Sequence, residues 1–142
     1  MKAECALLLQ KGPITLGEVF ELMPFENELV VITLSYEKTM EIFDYLIATG
    51  GEPISHAELV IVNELPYSIL IDKEIPDSNL TYKVLTSDYL ARGGDKMNFF
   101  LDPISYEKVG IKLRDAIILY LNQKADAGEE ITSEIDGRIR YE

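Results

Sequence analysis

The sequence predicts an α+β fold, a mixed β-sheet with helices packed on it, and three observations predict it. Short β-branched runs such as Leu29 to Leu34 alternate irregularly with stretches whose apolar residues recur at helical spacing. Two apolar runs, His56 to Asn63 and Tyr67 to Asp72, sit close enough to form a hairpin. Helices and strands are therefore interspersed without the strict alternation that builds a parallel α/β sheet.

Taken in order, Cys5 to Leu9 is an apolar run before Gly12-Pro13 and reads as a buried strand, with Cys5 a buried thiol. Leu16 to Met23 spaces Leu16, Val19, Phe20 and Met23 on one helical face. Thr15 stands as its N-cap and Glu18 completes a capping box. Pro24 stops that helix and leaves Phe25-Glu26-Asn27 as a loop. Leu29 to Leu34 is apolar enough for a strand buried on both faces. Ser35 caps the next helix, whose stripe of Met40, Phe43, Leu46 and Ile47 runs to Gly50-Gly51. The hairpin follows, with its turn placed at Pro66, and His56 reads as a strand-edge residue. Leu80 to Leu85 is a further strand. The longest helix is expected over Tyr106 to Lys124, with Val109, Leu113, Ala116, Ile117, Tyr120 and Leu121 as its apolar face. Ile135 to Tyr141 closes the chain as a strand with a turn at Asp136-Gly137.

Composition narrows the function. The 142 residues fit one domain, residues 1–142, large enough to bury a core without metals or disulfides. A net charge of −12 opposes the counterion release that drives binding to nucleic acid, so a duplex is not an expected partner. No apolar run is long enough to span a membrane as a helix. With one histidine and one cysteine, the chain has no His/Cys set for zinc and no second histidine for a nucleophile–base pair. Neither a P-loop nor a G-x-G-x-x-G run is present. The acidic residues Asp126, Glu129, Glu130, Glu134 and Asp136 lack calcium-loop spacing and read as solvated surface.

One segment stands apart. In "DYLARGGDKMNFF", Asp88 to Phe100, two glycines and an aspartate follow an aromatic, which supplies a pliable turn carrying a carboxylate. Together with "GPITLGEVFELMPFENELV" (Gly12 to Val30), "YKVLTSDYLARGGDKM" (Tyr82 to Met97), and "LRDAIILYL" followed by "DGRI", it resembles in order and spacing the C-terminal domain of the 5′-nucleotidase and UDP-sugar hydrolase family. The resemblance covers nearly the whole chain from Gly12 onward.

The resemblance implies a nucleotide- or nucleoside-binding domain, with hydrolysis performed by a separate metallophosphatase domain that carries the divalent metals. It assigns Phe25 and Tyr89 to the two walls of a base pocket, the second being a phenylalanine in most of the family. A base between two rings gains roughly 1–3 kcal/mol of stacking. Asp95 corresponds to the carboxylate that accepts the ribose hydroxyls and Asn27 to a residue that reaches the base edge. Gly93 and Gly94 would let the backbone pass close to the sugar. Two departures follow. The metallophosphatase domain is not in this sequence, so the chain is expected to bind no cofactor and to need that domain in cis or in trans. The family's Asn-x-Gly-Gly-Ile-Arg run is replaced by Leu7-Leu8-Leu9-Gln10-Lys11-Gly12, which removes a bidentate guanidinium for phosphate; Lys11 is not an equivalent substitute, and Arg92 and Lys96 are left to compensate in part. An upstream truncation is expected from the strand that opens the chain, and the resemblance implies a periplasmic or cell-surface protein. The competing reading is a structural or protein-interaction domain that keeps this fold without the nucleotide.

Overall fold

The computed structural model describes Leu9 and residues 11–142. The elements are α1 (Leu16–Leu22), β1 (Glu28–Leu34), α2 (Tyr36–Thr49), β2 (Ala57–Val62), β3 (Leu65–Ile71), β4 (Tyr82–Ser87), α3 (Asp88–Ala91), β5 (Ser105–Lys112), α4 (Leu113–Asp126) and β6 (Ile139–Tyr141). The strand expected at Cys5 to Leu9 lies, apart from Leu9, outside the described residues.

The fold is α+β, built on two three-stranded sheets. The first has the order β4-β1-β5 and is antiparallel throughout; the second, β3-β2-β6, is mixed, because β2 pairs antiparallel with β3 and parallel with β6. Strand β1 is central to the first sheet, and its Val30, Ile32 and Leu34 are fully buried while Leu29, Val31 and Thr33 are half-buried. Only one face of β1 is fully covered, which corrects the expectation of a strand buried on both.

Helix α2 lies between the sheets and fills two apolar clusters at once. Ile42 and Tyr45 pack against Val30, Ile32, Leu34, Ala91, Phe99 and Phe100, while Phe43 and Leu46 join Leu59 and Ile61. The helix starts where Ser35 Oγ accepts the Lys38 amide, and ends at Gly50, whose φ of 82° is the left-handed cap that only glycine adopts cheaply.

Three further sequence expectations are corrected. Residues 105–112 form β5, not the first half of a long helix, and helix α4 starts at Leu113. Gly110, at φ 81°, sits in a bulge: Glu28 pairs with Lys112 and Val30 with Lys108. The hairpin turn falls at Asn63-Glu64, where both residues have positive φ, as a two-residue type I′ connection requires. Pro66 lies instead within β3, tolerated because that strand is at the edge of its sheet. Finally, the last strand shrinks to three residues, and Ile135 is fully exposed before the Asp136-Gly137 turn.

Candidate functional site

Antiparallel pairing brings the two singled-out segments to one end of the first sheet. Leu29 lies opposite Ser87, so the loop that enters β1 faces the segment that leaves β4. Asp88 Oδ1 accepts the Glu28 amide at 3.0 Å and fastens them, and Asp88 also meets Arg92 at 3.6 Å. Ser87 caps the short helix α3 through the Leu90 amide at 3.2 Å, which fixes the direction in which Tyr89 leaves the sheet.

Tyr89, Gly94 and Asp95 form one unit. The Tyr89 hydroxyl donates to Asp95 Oδ1 at 3.1 Å, and half of the tyrosine remains exposed. Its ring lies against Gly94 so closely that a Cβ there would come within 2.5 Å of Tyr89 Cε1. Gly93 has a φ of 83°, Asp95 one of 51° and Lys96 one of 66°, so three residues of the turn lie in the left-handed region. From beneath, Tyr45 of α2 donates to the Asp95 carbonyl at 3.2 Å and packs edge-on against Phe99, ring centroids 5.6 Å apart. Burial, ahead of the neighbouring Glu52 and Asp95 charges, raises the Tyr45 hydroxyl above its ordinary value, so it stays a donor.

Phe25 and Asn27 are on the adjacent loop, Phe25 exposed and Asn27 half-buried. Sequence reasoning missed what holds that loop. The Leu113 amide donates to the Asn27 carbonyl at 2.9 Å, Arg114 Nη1 to the Met23 carbonyl at 3.3 Å, and both Lys112 and Arg114 pair with Glu26. Arg114 is only 6% exposed, its guanidinium 4.1 Å from the centroid of the Phe20 ring. Lys112, then Arg114, hold the Glu26 carboxyl down to about 2. A lone arginine at the start of a helix carries no sequence signal of this role.

Cations at this end are largely spoken for: Lys112 and Arg114 by Glu26, Lys108 by Glu28 at 3.2 Å, and Arg92 by Asp88. Lys96, exposed beside Asp95, makes no ion pair among the described residues. Among the described residues, no group of three or more His, Cys, Asp or Glu is placed to hold a metal ion, and no helix is long and apolar enough to cross a membrane. Two clefts of about 320 and 220 Å³ lie elsewhere, one lined by Ser55, His56, Asp72 and Arg138, the other by Tyr36, Met40 and Tyr67. Phe25 and Tyr89 are each about half exposed, and Asp95 is half-buried beside Tyr89.

No family model matches the chain. Over 93% of its length it is 26% identical to the trifunctional nucleotide phosphoesterase protein YfkN of Bacillus subtilis and 26% identical to an apyrase of Tabanus yao. It spans only 10% of the first and 27% of the second. Among solved structures, the 5′-nucleotidase precursor of Thermus thermophilus superposes over 96% of the chain with a TM-score of 0.77 at 21% identity, using 29% of its own length. The NAD nucleotidase of Haemophilus influenzae superposes over 90% with a TM-score of 0.70 at 16% identity, again using only 26% of its length.

Proposed function

On a fold that is that of the C-terminal domain of the 5′-nucleotidases, we propose that this chain is the substrate-recognition domain of a nucleotide phosphohydrolase and holds the nucleoside part of its ligand. Phe25 and Tyr89 stack on the base, Asp95 accepts the ribose hydroxyls, Asn27 meets the base edge, and the Gly93-Gly94 turn carries Asp95 to the sugar. Residues 1–142 act as one domain. Hydrolysis belongs in this reading to a metallophosphatase domain in cis or in trans, since one histidine is little from which to furnish a two-metal site. The divalent metals are assigned to that domain, and export to the periplasm or cell surface belongs to the same reading, one structural relative being described as a precursor.

The observation that carries this reading is the Tyr89–Asp95 hydrogen bond: a half-exposed ring beside an acceptor, the pair of groups that a nucleoside needs. Half-exposed rings suit a pocket completed by a second domain. Titration of the isotope-labelled chain with adenosine, followed by amide NMR, tests it. The reading predicts shifts concentrated at Phe25, Asn27, Tyr89 and Gly93 to Asp95. Shifts absent at saturating ligand, or centred on the cleft around His56, would leave a domain that keeps the fold for protein interaction alone.

A further inference from the structure

Three consecutive residues, Lys112, Leu113 and Arg114, all grip the loop that carries Phe25. Leu113 holds it through its backbone amide on Asn27, Arg114 through the Met23 carbonyl and Glu26, and Lys112 through Glu26 again. A guanidinium as buried as that of Arg114, with Nε left without a partner among the described residues, is costly to keep. Its position becomes intelligible from what it spans: the Phe20 ring, the end of α1 and the carboxylate next to Phe25. Phe25 itself is exposed and cannot be held by its own burial. Its direction depends on the backbone on either side, which Leu113 holds at the Asn27 carbonyl and Arg114 at the Met23 carbonyl, and Glu26, the residue next to Phe25, adds the side-chain grip.

We infer that Glu26, gripped by Lys112 and Arg114, is the positioning residue that presets the Phe25 ring for stacking on a nucleoside base. This rests on the reading of Phe25 as a wall of the nucleoside site. A ring whose loop is ordered before the ligand arrives loses less entropy on binding, so the clamp acts on affinity through Phe25 and only through it.

Two arms test it and separate its failure from that of the site. In the absence of ligand, hydrogen exchange at the Leu113 amide, which donates to the Asn27 carbonyl, should quicken in Glu26→Gln and in Arg114→Lys, while exchange in β1 beyond Leu29 stays as in the parent. Unchanged exchange at Leu113 in both variants overturns the clamp whether or not the chain binds a nucleoside. In the second arm, adenosine affinity is measured for Glu26→Gln, Phe25→Ala and the double variant. Glu26→Gln should weaken binding roughly two- to fivefold, and should weaken it no further once Phe25 is alanine. An equal loss in the Phe25→Ala background would show that Glu26 acts by some other route, and overturns the inference. No binding by the parent chain sinks the reading of the site and with it the clamp's role in binding.

Discussion

The Tyr89 hydroxyl and the Asp95 carboxylate share a 3.1 Å hydrogen bond across a turn of five intervening residues, and the Tyr89 ring fills the space in which Gly94 lacks a side chain. Ring and carboxylate are therefore one mechanical unit: moving either disturbs the other. Most consequences of the proposed function can be argued from that coupling.

Gly94→Ala should uncouple the unit. An added Cβ would lie 2.5 to 2.7 Å from three ring atoms of Tyr89, so the ring must leave. Because Tyr89 is half-exposed, it can swing into solvent, and the stability cost should stay within about 1 kcal/mol. The hydrogen bond to Asp95 and the stacking face should be lost together. Urea unfolding with adenosine titration checks both: a near-parental midpoint with binding abolished is expected.

Tyr89→Phe separates ring from hydroxyl. The ring keeps its stacking surface, while Asp95 Oδ1 no longer spends an acceptor site on the tyrosine. Adenosine should bind as tightly as to the parent or up to about fivefold tighter. A drop of tenfold or more in calorimetry would mean that the hydroxyl itself contacts the ligand.

Acid stability should depend on Glu26. Its carboxyl is lowered from 4.5 to about 2, chiefly by Lys112 and then by Arg114, so the unfolded chain binds the proton first as pH falls. The group contributes stability above about 4.5, and this is lost as pH falls toward about 2. Glu26→Gln should flatten that part of the stability profile. Chemical-denaturation midpoints across the window measure it; identical profiles for variant and parent would place the ion pairs in solvent without effect.

Thr15→Ala tests the local frame of the site. Thr15 Oγ1 accepts the Glu18 amide at 3.3 Å and Glu18 Oε2 accepts the Thr15 amide at 2.7 Å, a reciprocal box on a helix of only seven residues. Its loss should cost about 1 kcal/mol, lowering Tm by roughly 3 to 5 °C. Since α1 presents Phe20 to Arg114, faster exchange at the Met23 amide should accompany it.

What the sequence made legible was local. The Thr15–Glu18 box, the Ser35 cap, the α2 stripe and its Gly50 stop are set by residues within a few positions of one another, and all appear where periodicity and capping placed them. Strand β5 was not legible, because Val109 and Leu113 mimic a helical spacing. What makes residues 105–112 a strand is pairing with β1, more than seventy residues earlier in the register Thr33 to Ser105. Pro66 drew the hairpin turn to itself, whereas the positive φ of Asn63 and Glu64 makes the turn. At the site, Phe25, Asn27, Tyr89 and Asp95 were singled out by resemblance, since composition and spacing alone do not distinguish them from turn residues. Arg114 and Lys112 escaped because their importance lies in what the junction of β5 and α4 meets, the loop around Glu26, which only the fold reveals.

Calorimetric titration of the chain with adenosine and with AMP, repeated on Asp95→Ala and Tyr89→Ala, tests the central claim most directly. The account predicts measurable binding by the parent and similar affinity for the two ligands, since most cations at this end already serve carboxylates. Tyr89→Ala should weaken binding roughly 5- to 150-fold, with a clear loss for Asp95→Ala. Parental affinity in both variants, or no heat from a folded parent at millimolar ligand, would contradict it.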